Sequence, residues 1–318
     1  MLNTKNIINS FETKATAKLP ITQKQMDYIL KKFKGDMIKA LNILWTQSGN
    51  VLTRQNIGNS IIMNSIDFGI GSQMQDVLDK WRDDLLVPLY GDVVGTSGAL
   101  TSSILSDTID DLTRFSITAP EVAGNIELGS LNLVRDLSRS QMESLRGTLQ
   151  WGLENNIRSD KMRALMRENI SLTKRETNAT LNAYSKAYEK ELKIGLKRGM
   201  TKKAATKRAL RGAEKARHRK FLKLRNVRTE RIYRTELSRL KHTSDIESLN
   251  QALNTGKIQQ ATKTWSRTGF NDNWQSSIDN DGQTVGINDF FNSGDKYPNE
   301  INERCILEYG IKYKKGVN

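Results

Sequence analysis

Between Thr22 and Leu44 the apolar positions Met26, Ile29, Leu30, Phe33, Met37, Leu41 and Leu44 recur every three or four residues. That spacing predicts one amphipathic helix with a lysine-rich opposite face. The pattern then loosens. Residues 51–130 hold clusters of small residues (GDVVGTSGAL, TAPEVAGNIELGS) and read as loops joining short helical pieces such as 74–86. Gly91, Gly95 and Gly98 have no following G-K-[ST], so Gly91–Ala99 reads as a flexible connection and not as a phosphate loop. From Ser130 helical periodicity returns. Met142, Leu145 and Leu149 form one stripe, Ser159 is a candidate N-cap, and Met162, Leu165, Met166 and Ile170 form a second stripe, which together predict a helical hairpin. Residues 173–198 and 201–253 read as two long helical segments joined at Gly199-Met200, with Thr201 capping the second. After Asn254-Thr255-Gly256 the texture changes to glycines and Asn/Asp pairs between short aromatic or β-branched runs, as in a small α+β module with a hairpin. The expected fold is mainly α, with long helices and helical hairpins and a small C-terminal α+β module. Its expected regions are residues 1–130 (helical, role unassigned), 131–260 (basic and helical) and 261–318 (α+β).

Charge changes this picture by singling out the middle region. Of a formal excess of +15 over 318 residues, residues 1–150 contribute −1, residues 151–260 contribute +17 and residues 261–318 contribute −1. Between Lys193 and Arg234 there are 17 Lys/Arg against Glu214 and Glu230, with aromatics only at Phe221 and Tyr233. A basic helical face so poor in aromatics suits phosphate contact without base readout. Lys202, Lys203, Lys207, Arg208, Arg211, Arg217, Arg219, Lys220 and Arg225 are the candidate contacts. The plainer reading is a solvated face, or an arm lying on an acidic protein.

Other chemistry is sparse. One cysteine, Cys305, with His218 and His242 excludes an intrachain disulfide and a Cys/His zinc site. The N-terminus lacks the apolar core of a signal peptide, and no stretch approaches the roughly 20 apolar residues that span a bilayer. These features predict a soluble protein kept in a reducing cytoplasm. Asp272, Asp279 and Asp281 with Asn280 offer oxygen ligands of the kind a hard cation takes, but the spacing lacks the later glutamate of an EF-hand loop, and turn chemistry accounts for Asp281-Gly282 without an ion. His242 reads as a surface histidine and His218, inside ARHRK, as part of the basic face. Trp45, Trp81 and Trp151 fall on helical patterns and read as local core anchors. Arg234 and Glu236 read as a structural ion pair fixing the long helix against the C-terminal module, with no catalytic role.

Several elements then occur in a recognisable order. Ser171-Leu172-Thr173 precedes a helix; Arg228, Ile232, Arg234, Thr235 and Glu236 form an R-x-x-x-I-x-R-T-E pattern; Lys263-Thr264-Trp265, Asp281-Gly282-Gln283, Phe290-Phe291, Ser293-Gly294, Tyr297-Pro298 and Glu303-Arg304-Cys305-Ile306-Leu307 follow. Leu172 to about Leu307 thereby resembles the head morphogenesis, or minor head, proteins of tailed bacteriophages, the group that includes the phage Mu F-like proteins. The chain departs from the pattern in places. Glu176 stands for the usual glutamine, and Thr229 and Tyr233 stand for small alanines. Asn273 and Trp274 lie where arginines are expected. Ser277 takes the place of a histidine, and Cys305 alone remains of paired cysteines. Relatives carry there a constellation able to hold a metal; this chain lacks the ligands, so no metal and no cofactor is expected.

The resemblance implies a structural, non-enzymatic component of the virion, acting in head assembly at the portal vertex or inner capsid and entering DNA packaging or ejection. Its implied partners are the portal protein, the major capsid or scaffold protein, and packaged double-stranded DNA without sequence preference. It implies several copies per virion, assembly in the host cytoplasm and no membrane contact in the assembled state. Two alternatives stay open: a metal-dependent nuclease using the carboxylates near Asp272–Asp281, and a DNA-coating protein without portal contact.

Overall fold

The stripe from Met26 to Leu44 lies inside one helix, α1 (Gln23–Val51), in a computed structural model that describes residues 14–21, 23–66, 69–109, 114–267, 274–298 and 305–314. Met26, Ile29, Phe33, Met37, Leu41 and Leu44 are buried, as their spacing requires. Further helices are α2 (Arg54–Met63), α3 (Ile70–Trp81), α4 (Val87–Thr108), α5 (Pro120–Glu154), α6 (Ser159–Asn169), α7 (Lys174–Lys197), α8 (Lys202–Asn254) and α9 (Gln275–Asn280), with a π-helical turn at Arg82–Leu86 between α3 and α4. Four strands, β1 (Lys14–Leu19), β2 (Ile258–Ser266), β3 (Thr284–Gly286) and β4 (Ile306–Lys314), complete a mainly α architecture with one small sheet. Among the described residues no helix is long and apolar enough to cross a membrane.

The chain divides into two compact units, neither of them continuous in sequence. One gathers the described parts of Met1–Met37, Val87–Leu128 and Arg231–Asn318, the other Ile38–Leu86 and Gly129–Glu230. These boundaries do not follow the three consecutive regions read from sequence texture, because α1, α5 and α8 each contribute to both units.

The first unit is built on an antiparallel sheet in the order β1-β4-β2-β3. Trp265, Leu307, Tyr309 and Ile311 point inward and form one core with Ile246, Leu249 and Ala252 of α8 and Leu105 of α4. Ile258 and Ala261 both face this core although they are three apart. A register shift between Ile258 and Gln260 inserts an extra residue into β2, and that bulge restores the inward phase. β1, which sequence reading did not anticipate, pairs with β4 across almost the whole chain.

The segment Gly91–Ala99 is a correction. It is helical, in the interior of α4, and not a flexible connection. Its small residues admit close neighbours on two sides: the Ser244 hydroxyl of α8 donates to the Val94 carbonyl at 2.8 Å, and the Phe115 ring fills the space that a side chain on Gly98 would need. Low side-chain volume marks a close helix contact here, where the sequence alone suggests a linker. The rest of 51–130 is likewise more helical than expected.

The second unit is all helical. The indole of Trp81 donates to the Ala40 carbonyl (2.8 Å), anchoring α3 on α1. α5 and α6 make the expected hairpin, reversed at Asn156 in the left-handed conformation (φ 53°), with Arg158 and not Ser159 at the N-cap position. Thr173 caps α7 in a reciprocal capping box with Glu176, preceded by buried Leu172. α7 turns into α8 at Gly199 (φ 73°), and the Thr201 hydroxyl accepts from the Ala204 amide (3.4 Å), as anticipated. Close to this turn Gly195 packs on α8: a Cβ there would stand 2.9 Å from Ala205 Cβ and 3.1 Å from its Cα. Gly195→Leu is therefore expected to lower stability by about 1–3 kcal/mol through overpacking, read as a fall in the urea midpoint. An unchanged midpoint would mean that the hairpin tolerates a wider separation.

Candidate functional site

Along the first part of α8, Ala205, Ala209 and Ala213 recur every four residues and are buried. Lys203, Lys207 and Arg211, also four apart, fall on the side of the helix away from this alanine stripe. Lys202, Lys203, Lys207, Arg211 and Arg219 are exposed, and Lys220 is half-buried. His218 is also exposed and belongs to the basic face, as expected.

Three of the candidate phosphate contacts already have partners within the protein. Arg217 is 6% exposed and bonds the carboxylates of Glu168 (2.5 Å) and Glu214 (3.1 Å). Arg208 pairs with Glu191 at 2.9 Å. Arg225 lies over the Trp45 ring, 4.9 Å from its centroid, and donates to Asn42 Oδ1. The 53-residue helix turns all the way round several times, so a charge run in sequence spreads over every side of it, and the inward members acquire partners.

The R-x-x-x-I-x-R-T-E elements fall on α8 in both units. Within the second unit Arg228 is buried and donates to Ser140 Oγ (2.6 Å); burial lowers its guanidinium to about 10, against the pull of Glu176. Within the first unit Ile232 and Thr235 are half-buried, and the Arg234 guanidinium lies 5.9 Å from the Tyr233 ring centroid. The expected Arg234–Glu236 pair is not what holds Glu236. Residues two apart on a helix point to different sides, and Glu236 instead pairs with Arg239 one turn on while accepting from the Tyr90 hydroxyl of α4. Burial works against the charge on Arg239, but Glu236 outweighs it and raises the guanidinium pKa.

The remaining elements meet in the sheet core. Trp265 is fully buried and contacts Phe291 edge-on, with centroids 5.0 Å apart and planes at 85°. Gly282, at φ 77°, donates its amide to the Trp265 carbonyl (2.9 Å), and Asp281 Oδ1 accepts from the Arg267 amide (3.0 Å). Cys305 and Leu307 belong to the same core, with Tyr297 packed against it. Phe290, beside the core Phe291, is exposed. Asp279 accepts from Gln275 (2.6 Å), whereas Asp272, Glu303 and Arg304 lie outside the described residues. Among the described residues no three His, Cys, Asp or Glu gather as a metal site would require.

Beneath these elements lies a polar cluster that sequence reasoning missed. Lys241 and Asp245, one turn apart on α8, are almost fully buried and joined by contacts of 2.5 and 2.6 Å; Asp245 also accepts from the Thr101 hydroxyl (2.5 Å). Lys263 of β2 is buried too, donating to the Ile287 carbonyl (2.9 Å) over the Phe291 ring; burial, with Lys296 nearby, lowers its amine to about 8 against the pull of Asp289. His242 corrects the surface reading. It is 2% exposed, and burial, then the Lys241 charge and, less strongly, that of Lys263, push its imidazole down to about 3 while the Cys305 backbone opposes the shift. The pattern Lys241-x-x-x-Asp245 is visible in the sequence but resembles an ordinary exposed i,i+4 pair. Only burial distinguishes the two.

No protein-family model, curated protein or solved structure matches the chain. The observed geometry has two parts: an exposed basic stripe suited to a polyanion, and a sheet core shared by the later ordered elements. Several side chains in that core are engaged with their neighbours, in an ion pair, a ring contact and a backbone bond.

Proposed function

We propose that this chain is a structural minor head protein of a tailed bacteriophage, working without catalysis in head assembly at the portal vertex or inner capsid. One observation carries the reading: the later of the ordered elements that resemble that family lie together. Trp265, Phe291, Cys305 and Leu307 share one core region, with Tyr297 packed against it. Mutual packing of these residues supports reading them as one module.

The exposed stripe of Lys203, Lys207, Arg211 and Arg219, with exposed Lys202 at the start of the helix, supports proximity to packaged DNA, since neutralised phosphates release counterions without regard to base sequence. Exchange of Lys202, Lys203 and Lys207 together for Gln is expected to flatten the slope of log K against log salt by about 0.9 for each phosphate that is no longer neutralised. Arg217→Gln should leave that slope unchanged. Equal slopes for wild type and the triple variant would remove the stripe from DNA binding.

The deciding experiment is co-purification with the portal protein encoded alongside this chain, with nuclease treatment and a salt titration. A stoichiometric complex that survives both is the expected result. Recovery only with nucleic acid, abolished as salt rises, would favour a DNA-coating protein. DNA cleavage abolished by Asp279→Ala would favour a metal-dependent nuclease.

A further inference from the structure

We infer that a cleft of about 380 Å³ in the helical unit, between α1, α6 and α8, is a binding site for a single oxyanion, a phosphate or carboxylate group. This inference is independent of the head-vertex reading and stands or falls without it.

The cleft is lined by Trp45 and Asn50 of α1, Arg167 of α6, and Phe221 and Arg225 of α8, among others. Arg208 and Arg217 on α8 are neutralised by glutamates, whereas Arg167 and Arg225 have only neutral hydrogen-bond partners among the described residues. Arg167 donates to the Gly49 carbonyl (2.8 Å) and to Asn50 Oδ1 (3.2 Å), which hold the guanidinium in place while leaving its charge uncompensated. Arg225 is held by Asn42 and by the Trp45 face. Glu168 also lines the cleft, but Arg217 already engages its carboxylate.

The second observation is Trp45 itself. It is 4% exposed and its indole N–H has no acceptor in the protein. A buried donor left unpaired costs about 1–3 kcal/mol, and because Trp45 lines the cleft its indole N–H reports on what enters there. The cleft does not suit a stacked base, since Arg225 covers the Trp45 ring and Phe221 is buried. Two positive guanidinium groups define a ligand that accepts hydrogen bonds and carries negative charge. The space exceeds one phosphate group, so the oxyanion can arrive attached to a larger molecule.

The test follows the tryptophan indole N–H signals of the ¹⁵N-labelled full chain by NMR, with the Trp45 signal assigned through Trp45→Phe. Titration with inorganic phosphate, dAMP or N-acetylaspartate is expected to shift that signal saturably while the other indoles stay still. Tighter binding of dAMP would identify a nucleotide source, and tighter binding of N-acetylaspartate an acidic protein side chain. Arg225→Met and Arg167→Met should each weaken binding roughly tenfold or more, as removal of a charged hydrogen bond implies. Arg167 is exposed, so its replacement keeps the fold testable if Arg225→Met does not. Arg175→Ala, which removes an exposed charge outside the cleft, should leave binding intact. Absence of a saturable Trp45 shift with every probe, or an equal weakening in Arg175→Ala, would overturn the site.

Discussion

Lys241→Met is expected to destabilise the protein by about 3–5 kcal/mol, the range for breaking a buried ion pair from one side. The reason lies in what remains. Asp245 is almost fully enclosed, and after the exchange its carboxylate keeps the Thr101 hydroxyl but loses the ammonium that neutralises it. Removing both charges is a different perturbation. Lys241→Met with Asp245→Leu fills similar volume with apolar atoms and strands no charge, so most of the stability should be recovered. Urea midpoints of wild type, both single variants and the double variant form the required cycle. Additive effects would show that Lys241 and Asp245 do not act as a pair, and small effects in the single variants would place the pair in water.

Acid should weaken this protein through His242. Its imidazole is held down to about 3 by burial and by the Lys241 and Lys263 charges, against an ordinary value of 6.5. Below pH 6.5 the unfolded chain takes up a proton that the folded chain refuses until about pH 3. The contribution from keeping this histidine neutral is therefore complete above the unfolded value and is lost as pH falls through that window. Each pH unit inside it is worth about 1.4 kcal/mol, so acidification to pH 4.5 should remove roughly 2–3 kcal/mol from this group. His242→Leu carries no such proton and should lose that much less stability than wild type between pH 7.5 and 4.5. Parallel losses in the two proteins would rule the histidine out, whatever the neighbouring carboxylates contribute.

Both effects come from residues whose sequence neighbourhood looks ordinary. Lys241 and His242 sit in SRLKHTSD, a stretch with no apolar stripe strong enough to announce an interior position. The α8 sequence turns toward the sheet core on one side and toward α4 on another, so apolar and small polar residues alternate around its circumference. Such a helix defeats a reading based on one hydrophobic face. The same limit explains Gly91–Ala99, where small residues mean a close helix approach in one context and a loop in another. It also explains Arg217, whose charge is indistinguishable in sequence from that of exposed Arg219.

Local physics left clear marks along the chain. The apolar period of α1, the reversal between α5 and α6, the Thr173 cap with Glu176, the Gly199 turn and the change to short strands after Gly256 follow from interactions within a few residues. Each can be read from the residues concerned because its main energy terms are local in the chain. The ordered elements from Arg228 to Leu307 are visible as a series, but not their mutual contacts. β1 pairs with β4 from the opposite end of the chain, Thr101 meets Asp245 across 144 positions, and Tyr90 meets Glu236 across 146. Those partnerships depend on which surfaces exclude water together once the helices pack. A lysine, a histidine or an arginine has the same covalent character in either setting, and its surroundings in the folded chain decide whether it is a solvated charge, a buried neutral ring or half of an ion pair.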